Sequence, residues 1–138
     1  MSTPKELLKD LYWSFREHYQ DQQSFEKDLT TYNTRLSKPA PKLDEIVFSE
    51  QKIVIQYLFL EDDFIEDEED KQILIETDNP NGFTLSDLMY KINNKVVTND
   101  DSFDLSDQDA HFFEGLEYLT DDDPDYPQTK VYYMILGS

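Results

Sequence analysis

Acidic side chains crowd the part of this chain that also supplies its apolar strands, and any fold must keep the two apart. Residues 43–138 carry 25 of the 31 acids against five lysines, a local charge of −20. Residues 1–42 carry seven basic side chains and six acidic ones, a local charge of +1, and the whole chain stands at −19. Self-repulsion on this scale opposes compaction and favours solubility. Nine Phe, nine Tyr and one Trp argue the other way, because disordered acidic segments carry few aromatics. The acids are therefore expected to coat a packed core. The same charge makes nucleic acid an unsuitable ligand, since phosphate binding rests on a basic footprint.

At 138 residues the chain fits a single domain over 1–138. It divides into a helical N-terminal segment at 1–37 and an acidic α+β core at 43–138. Cysteine is absent, which removes disulfides, thiolate metal sites and a cysteine nucleophile. No run approaches 18 apolar residues and the first residues lack the apolar stretch of a signal peptide, so a cytoplasmic protein with no membrane partner is expected.

Thr3, Pro4 and Glu6 form a capping-box pattern, and Leu7, Leu8, Leu11, Tyr12, Phe15 and Tyr19 recur at helical spacing. The pattern predicts a helix over 3–22 and a second over 25–36, ended by Pro39 and Pro41. Ile46–Phe48 and Lys52–Leu60 read as strand, as does Gln72–Thr77 beyond an acidic run at 61–70. Asp78–Gly82 reads as a turn, and Thr84 or Ser86 as the cap of a helix with Leu85, Leu88, Met89, Ile92 and Val96 on its core face. Residues 111–119 and 130–136 are the last two strands. The expected fold is α+β: an N-terminal helix or helix pair, then two hairpins of a mostly antiparallel sheet separated by one helix, in the order α-β-β-α-β-β. The last strand is apolar on both faces, Val131, Tyr133 and Ile135 on one and Tyr132, Met134 and Leu136 on the other. One set needs a cover besides the 84–97 helix, and the N-terminal segment is the expected one, with a second copy of the chain as the other choice.

No nucleotide, hydrolase or zinc motif occurs. Calcium loops fit poorly: from Asp100, Leu105 and His111 replace the glycine and glutamate that an EF-hand needs, and from Asp121, Tyr126 and Tyr132 do. No cofactor or metal is expected. An enzymatic reading would use Asp109, His111 and Glu114 as acid, base or metal ligands. The structural alternative gives His111, Glu114 and Gly115 to strand entry and a bulge. Aromatics interleaved with acids carry more weight. Phe64 lies with Asp62, Asp63 and Glu66, Phe103 with Asp100 and Asp101, and Tyr126 with Asp121, Asp122 and Asp123. Carboxylates steer an encounter with a basic protein and aromatics supply contact energy at its centre.

These eleven residues are the candidate partner-binding set, and no catalytic residue is expected. In size, charge and lack of cysteine the chain is similar to small acidic bacterial immunity proteins, a resemblance of class that rests on no motif. It implies an interaction protein that neutralises a basic partner such as a toxic nuclease. The alternatives are a small enzyme or metal-dependent protein built on Asp109, His111 and Glu114, a DNA mimic, and an acidic homodimer.

Overall fold

A computed structural model describes residues 4–60, 68–97 and 112–137. Among these residues ten elements follow in chain order: β1 (Glu6–Leu7), β2 (Trp13–Ser14), α1 (Gln22–Arg35), β3 (Ile46–Phe48), β4 (Lys52–Leu60), β5 (Glu68–Glu76), β6 (Phe83–Thr84), α2 (Leu85–Val96), β7 (Phe112–Thr120) and β8 (Val131–Gly137). The main sheet runs β1-β7-β8-β4-β5, with β2 also on β7, while β3 and β6 form a separate pair. The β4–β5 and β7–β8 pairs are antiparallel, but β4 and β8 lie parallel in the centre, Val54 opposite Val131 and Gln56 opposite Tyr133.

The expected α-β-β-α-β-β order and mostly antiparallel sheet are therefore corrected to a mixed sheet of more strands. The largest error is at the N-terminus, where the predicted 3–22 helix does not form. Residues 4–20 run extended apart from a turn at 8–10, and β1 and β2 pair with β7 in register Leu7 with Leu116 and Trp13 with Phe113. Leu11, Trp13 and Phe15 alternate into the core at a period of two, which a strand permits and a helix does not. Leu7 and Tyr19 happen to complete a helical spacing, and tertiary packing overrides it. A helix begins only at Gln22, where the Asp21 carboxylate accepts from Ser24 N–H, three residues ahead of the expected 25–36. Thr84 caps α2 by accepting from Asp87 N–H at 3.0 Å.

Asparagines hold the extended segment in place. Asn33, buried on α1, accepts from Tyr12 N–H and donates to Tyr12 C=O, pairing with that residue as a neighbouring strand would. Asn94 on α2 does the same for Tyr19, accepting from its N–H and donating to its C=O. Between them Asn93, fully buried, accepts from the Trp13 indole N–H and donates to Glu17 C=O. These bonds satisfy backbone groups that edge pairing alone would leave orphaned. They also seat Trp13 edge-on against Phe25 and Tyr32.

One apolar core results. It joins Trp13, Phe15 and Phe25 to α2 and to the inward residues Ile53, Ile55, Ile75, Phe113, Tyr132 and Met134 of the sheet. The N-terminal segment thus packs on the helix-bearing face, together with Tyr132 and Met134. It does not cover the opposite face, as the sequence reading expected. Gly82 turns the chain between β5 and β6 at φ +105°, and a Cβ there would fall 2.1 Å from the Phe48 carbonyl oxygen. Gly115, at φ +121°, sits at the bulge between Phe113 and Leu116, opposite the turn from β1 to β2.

Two predictions test this packing. Asn33→Ala strips both partners from Tyr12 and should cost roughly 2–4 kcal/mol in urea unfolding. A loss below about 1 kcal/mol would mean that edge pairing alone holds the segment. Burial raises both the Tyr57 and the Tyr132 phenols to about 12, Tyr132 with a further contribution from the Glu50 charge. Because the folded values exceed the ordinary value of 10, these phenols stabilise the fold fully below pH 10 and lose that contribution as pH rises through 12. Tyrosinate absorbance and circular dichroism followed together should show late phenol ionisation coinciding with loss of structure. Ionisation of every tyrosine near pH 10 in a folded chain would contradict it.

Candidate functional site

Alternation along the central strands leaves a second face opposite the helices. β4 contributes Val54, Gln56 and Leu58 to it, β5 Gln72 and Leu74, and β8 Val131, Tyr133 and Ile135. One row across it runs Glu117, Tyr133, Gln56, Gln72, and the next runs Val131, Val54, Leu74. Val54 and Val131 are fully buried, Leu74, Tyr133 and Ile135 half-buried, and Leu58 is 38% exposed. Glu114 and Glu117 stand exposed on β7 at one side of this face. Bulky apolar groups with acids beside them form a surface of moderate relief. Two clefts lie elsewhere, both lined in part by the N-terminal segment.

The loop joining β7 to β8 reaches onto this face, and Asp123 holds it there. One Asp123 oxygen accepts from the Gln72 side-chain amide at 2.7 Å, and the other accepts from Asp125 N–H at 2.8 Å. Gln72 also donates to Gln56 across the β4–β5 pair. Asp123 is thus a loop anchor rather than a free contact residue. Asp121 and Asp122 are exposed, and the Thr120 hydroxyl accepts from Asp122 N–H. Tyr126 is half-buried, its N–H donating to Asp123 C=O. At the start of β8, Lys130 pairs with Glu50, and Lys52 lies 3.9 Å from Glu76.

Of the eleven candidate residues, Asp121, Asp122, Asp123 and Tyr126 are brought together in this loop. Asp62, Asp63, Phe64, Glu66, Asp100, Asp101 and Phe103 lie outside the described residues. The same holds for Asp109 and His111 of the enzymatic alternative. Its third member, Glu114, is exposed on β7, and its carboxylate lies where a Cβ on Gly137 would meet it at 2.8 Å. Among the described residues no group of three or more His, Asp or Glu is placed to hold a metal ion. No helix among them is long and apolar enough to cross a membrane.

Sequence reasoning missed Gln56, Gln72 and Glu117, and named Tyr133 only as part of the doubly apolar last strand. A signal existed for Gln56, the one polar residue inside the apolar run Ile53–Leu60. The partner that makes it useful, Gln72, is set only by strand register.

No family model, curated protein or solved structure matches the chain.

The anchoring role of Asp123 is testable. Asp123→Ala should cost about 1–2 kcal/mol through the lost bond to Gln72, and should open the 121–130 loop to limited proteolysis. Asp122→Ala, which removes an exposed carboxylate, should leave both readouts within experimental scatter. Equal protease resistance in the two variants would show that the loop is held by other contacts.

Proposed function

We propose that this chain is an acidic interaction protein of the cytoplasm that binds and neutralises a basic macromolecular partner, most concretely as an immunity-type inhibitor of a toxic nuclease or similar effector. The observation that carries the reading is the second face of the sheet. Leu58, Tyr133 and Ile135 offer apolar contact area there, and Glu114, Glu117, Asp121 and Asp122 flank it without an ion pair among the described residues. The lysines at its margin, Lys52 and Lys130, are already matched by Glu76 and Glu50. The uncompensated charge of this side is therefore negative.

Such a surface suits a partner that binds phosphate. A nuclease cleft concentrates positive charge to hold its substrate, and carboxylates set around an apolar centre compete for the same site. Long-range attraction sets how quickly the two meet, and burial of the Tyr133 and Leu58 region sets how slowly they part. The small enzyme based on Asp109, His111 and Glu114 draws no support from the position of Glu114, which is exposed with no acid or histidine cluster around it among the described residues.

The test is inhibition rather than capture alone. Immobilised chain is used to isolate a protein from the source cells, and that protein is assayed for activity on nucleic acid with and without the free chain. Stoichiometric inhibition is expected. Combined charge reversal at Glu114, Glu117, Asp121 and Asp122 should slow association by about tenfold or more at low salt, and the effect should shrink as salt screens charges beyond about 8 Å. A partner that is itself acidic, or one whose association rate ignores both salt and the four reversals, would overturn the reading.

A further inference from the structure

A cleft of about 490 Å³ opens between the N-terminal segment and α1, far from the acidic face in charge character. Both arginines of the chain, Arg16 and Arg35, line it. Glu17 and Asp28 line it too, and its wall includes Trp13 and Tyr32. Its volume falls in the range of small-molecule sites, roughly 300–1,000 Å³.

Two guanidinium and two carboxylate groups share this cleft, yet no ion pair among the described residues joins either arginine to Glu17 or Asp28. Arg16 and Asp28 each engage a neutral group. The Arg16 Nε–H donates to the hydroxyl of Ser14, a residue 4% exposed, at 3.1 Å. That bond orients the guanidinium and leaves its terminal fork for another acceptor. Arg35 stands exposed in the last turn of α1. Asp28 accepts from the Tyr19 hydroxyl at 2.7 Å; burial first, then this bond and the charges of Asp28 and Glu17, which also accepts from the phenol, hold it protonated well above its ordinary range. Opposite charges that face one cleft without pairing are complementary to a ligand that carries both signs. The aromatic wall adds a preference for an apolar or planar body.

We infer that this cleft binds a small zwitterion with an aromatic or apolar side chain, an α-amino acid or a group of the same chemistry. Its carboxylate meets Arg16 and Arg35, its ammonium meets Glu17 and Asp28, and its side chain lies against Trp13 and Tyr32. The site is separate from the acidic face and does not depend on the function proposed above.

Trp13 is the only tryptophan in the chain, so its fluorescence reports on the cleft directly. The intact chain is titrated with L-phenylalanine, with 3-phenylpropanoate, which lacks the ammonium, and with phenethylamine, which lacks the carboxylate. Phenylalanine should give a saturable change with a Kd below about 10 mM, and each truncated probe should bind about tenfold more weakly. Arg16→Gln and Arg35→Gln should each bring phenylalanine down to the level of phenethylamine. Glu17→Gln should bring it down to the level of 3-phenylpropanoate. These side chains are exposed, and circular dichroism checks that the variants fold. Phenethylamine binding as tightly as phenylalanine would mean that the net negative charge merely collects cations, and would overturn the inference. So would the absence of saturation with phenylalanine, or its retention in both arginine variants.

Discussion

The bidentate pairing of asparagine side chains with an extended N-terminal backbone is the contact on which the rest of this structure leans. A strand at a sheet edge pairs on one side only, and β1 and β2 are two residues each, too short to hold residues 4–20 by sheet bonds alone. Asn33 and Asn94 complete the bonding of Tyr12 and Tyr19 from the helices, and Asn93 fixes Trp13 between them. Each of these amides is buried or half-buried, where a missing partner would be costly. The outcome is that Trp13, Phe15 and Tyr19 close the core on the side where α1 and α2 meet. At the sheet's far side of this core, the Tyr132 hydroxyl donates to Pro4 C=O at 2.5 Å, tying the start of the described chain to its last strand.

That arrangement also accounts for how a chain of charge −19 packs at all. The core is drawn from both the near-neutral N-terminal part and the apolar alternation of the acidic part, and acids among the described residues lie in loops, at exposed or half-exposed positions of α1 and α2, and at outward positions of β7. Among the described residues no carboxylate is buried; the buried polar groups are Ser14, Asn33, Ser86 and Asn93, all neutral. Keeping charge out of the interior avoids a desolvation penalty that pairing seldom repays. It leaves the repulsion at the surface, where salt and a basic partner can relieve it.

Much of the local structure was legible. β4, β7, β8 and the second half of β5 follow from runs of β-branched and aromatic residues between turn residues, and α2 from a cap at Thr84 and apolar positions at 85, 88, 89, 92 and 96; the first half of β5, from Glu68, falls in the acidic run read as a loop and is strand because it pairs with Tyr57–Leu60 of β4. The first twenty residues were misread because Leu7, Leu11, Phe15 and Tyr19 satisfy a helical period while Leu11, Trp13 and Phe15 satisfy a strand period. Local pattern could not choose between them. The deciding groups, Asn33, Asn93 and Asn94, lie up to 80 residues away in sequence, and nothing about an asparagine in a helix announces a distant backbone as its partner. The candidate surface was legible in part. The doubly apolar β8 and the acids of the 121–125 loop were evident, whereas the anchoring role of Asp123 depends on the β4–β5 register that puts Gln72 beneath it.

The charge division, the apolar runs of β4, β7 and β8, the second helix and the absence of thiol chemistry can all be read from the chain alone. These are properties of composition and of spacing over a few residues, set by local sterics and by the need to bury apolar side chains. The parallel pairing of β4 and β8, the extended N-terminal segment, the face of the sheet that the helices cover and the meeting of both arginines with two carboxylates in one cleft emerge only when the chain is folded. Those outcomes depend on which distant backbone groups and side chains satisfy one another, and a hydrogen bond between residues far apart in the chain leaves no periodic trace in either segment.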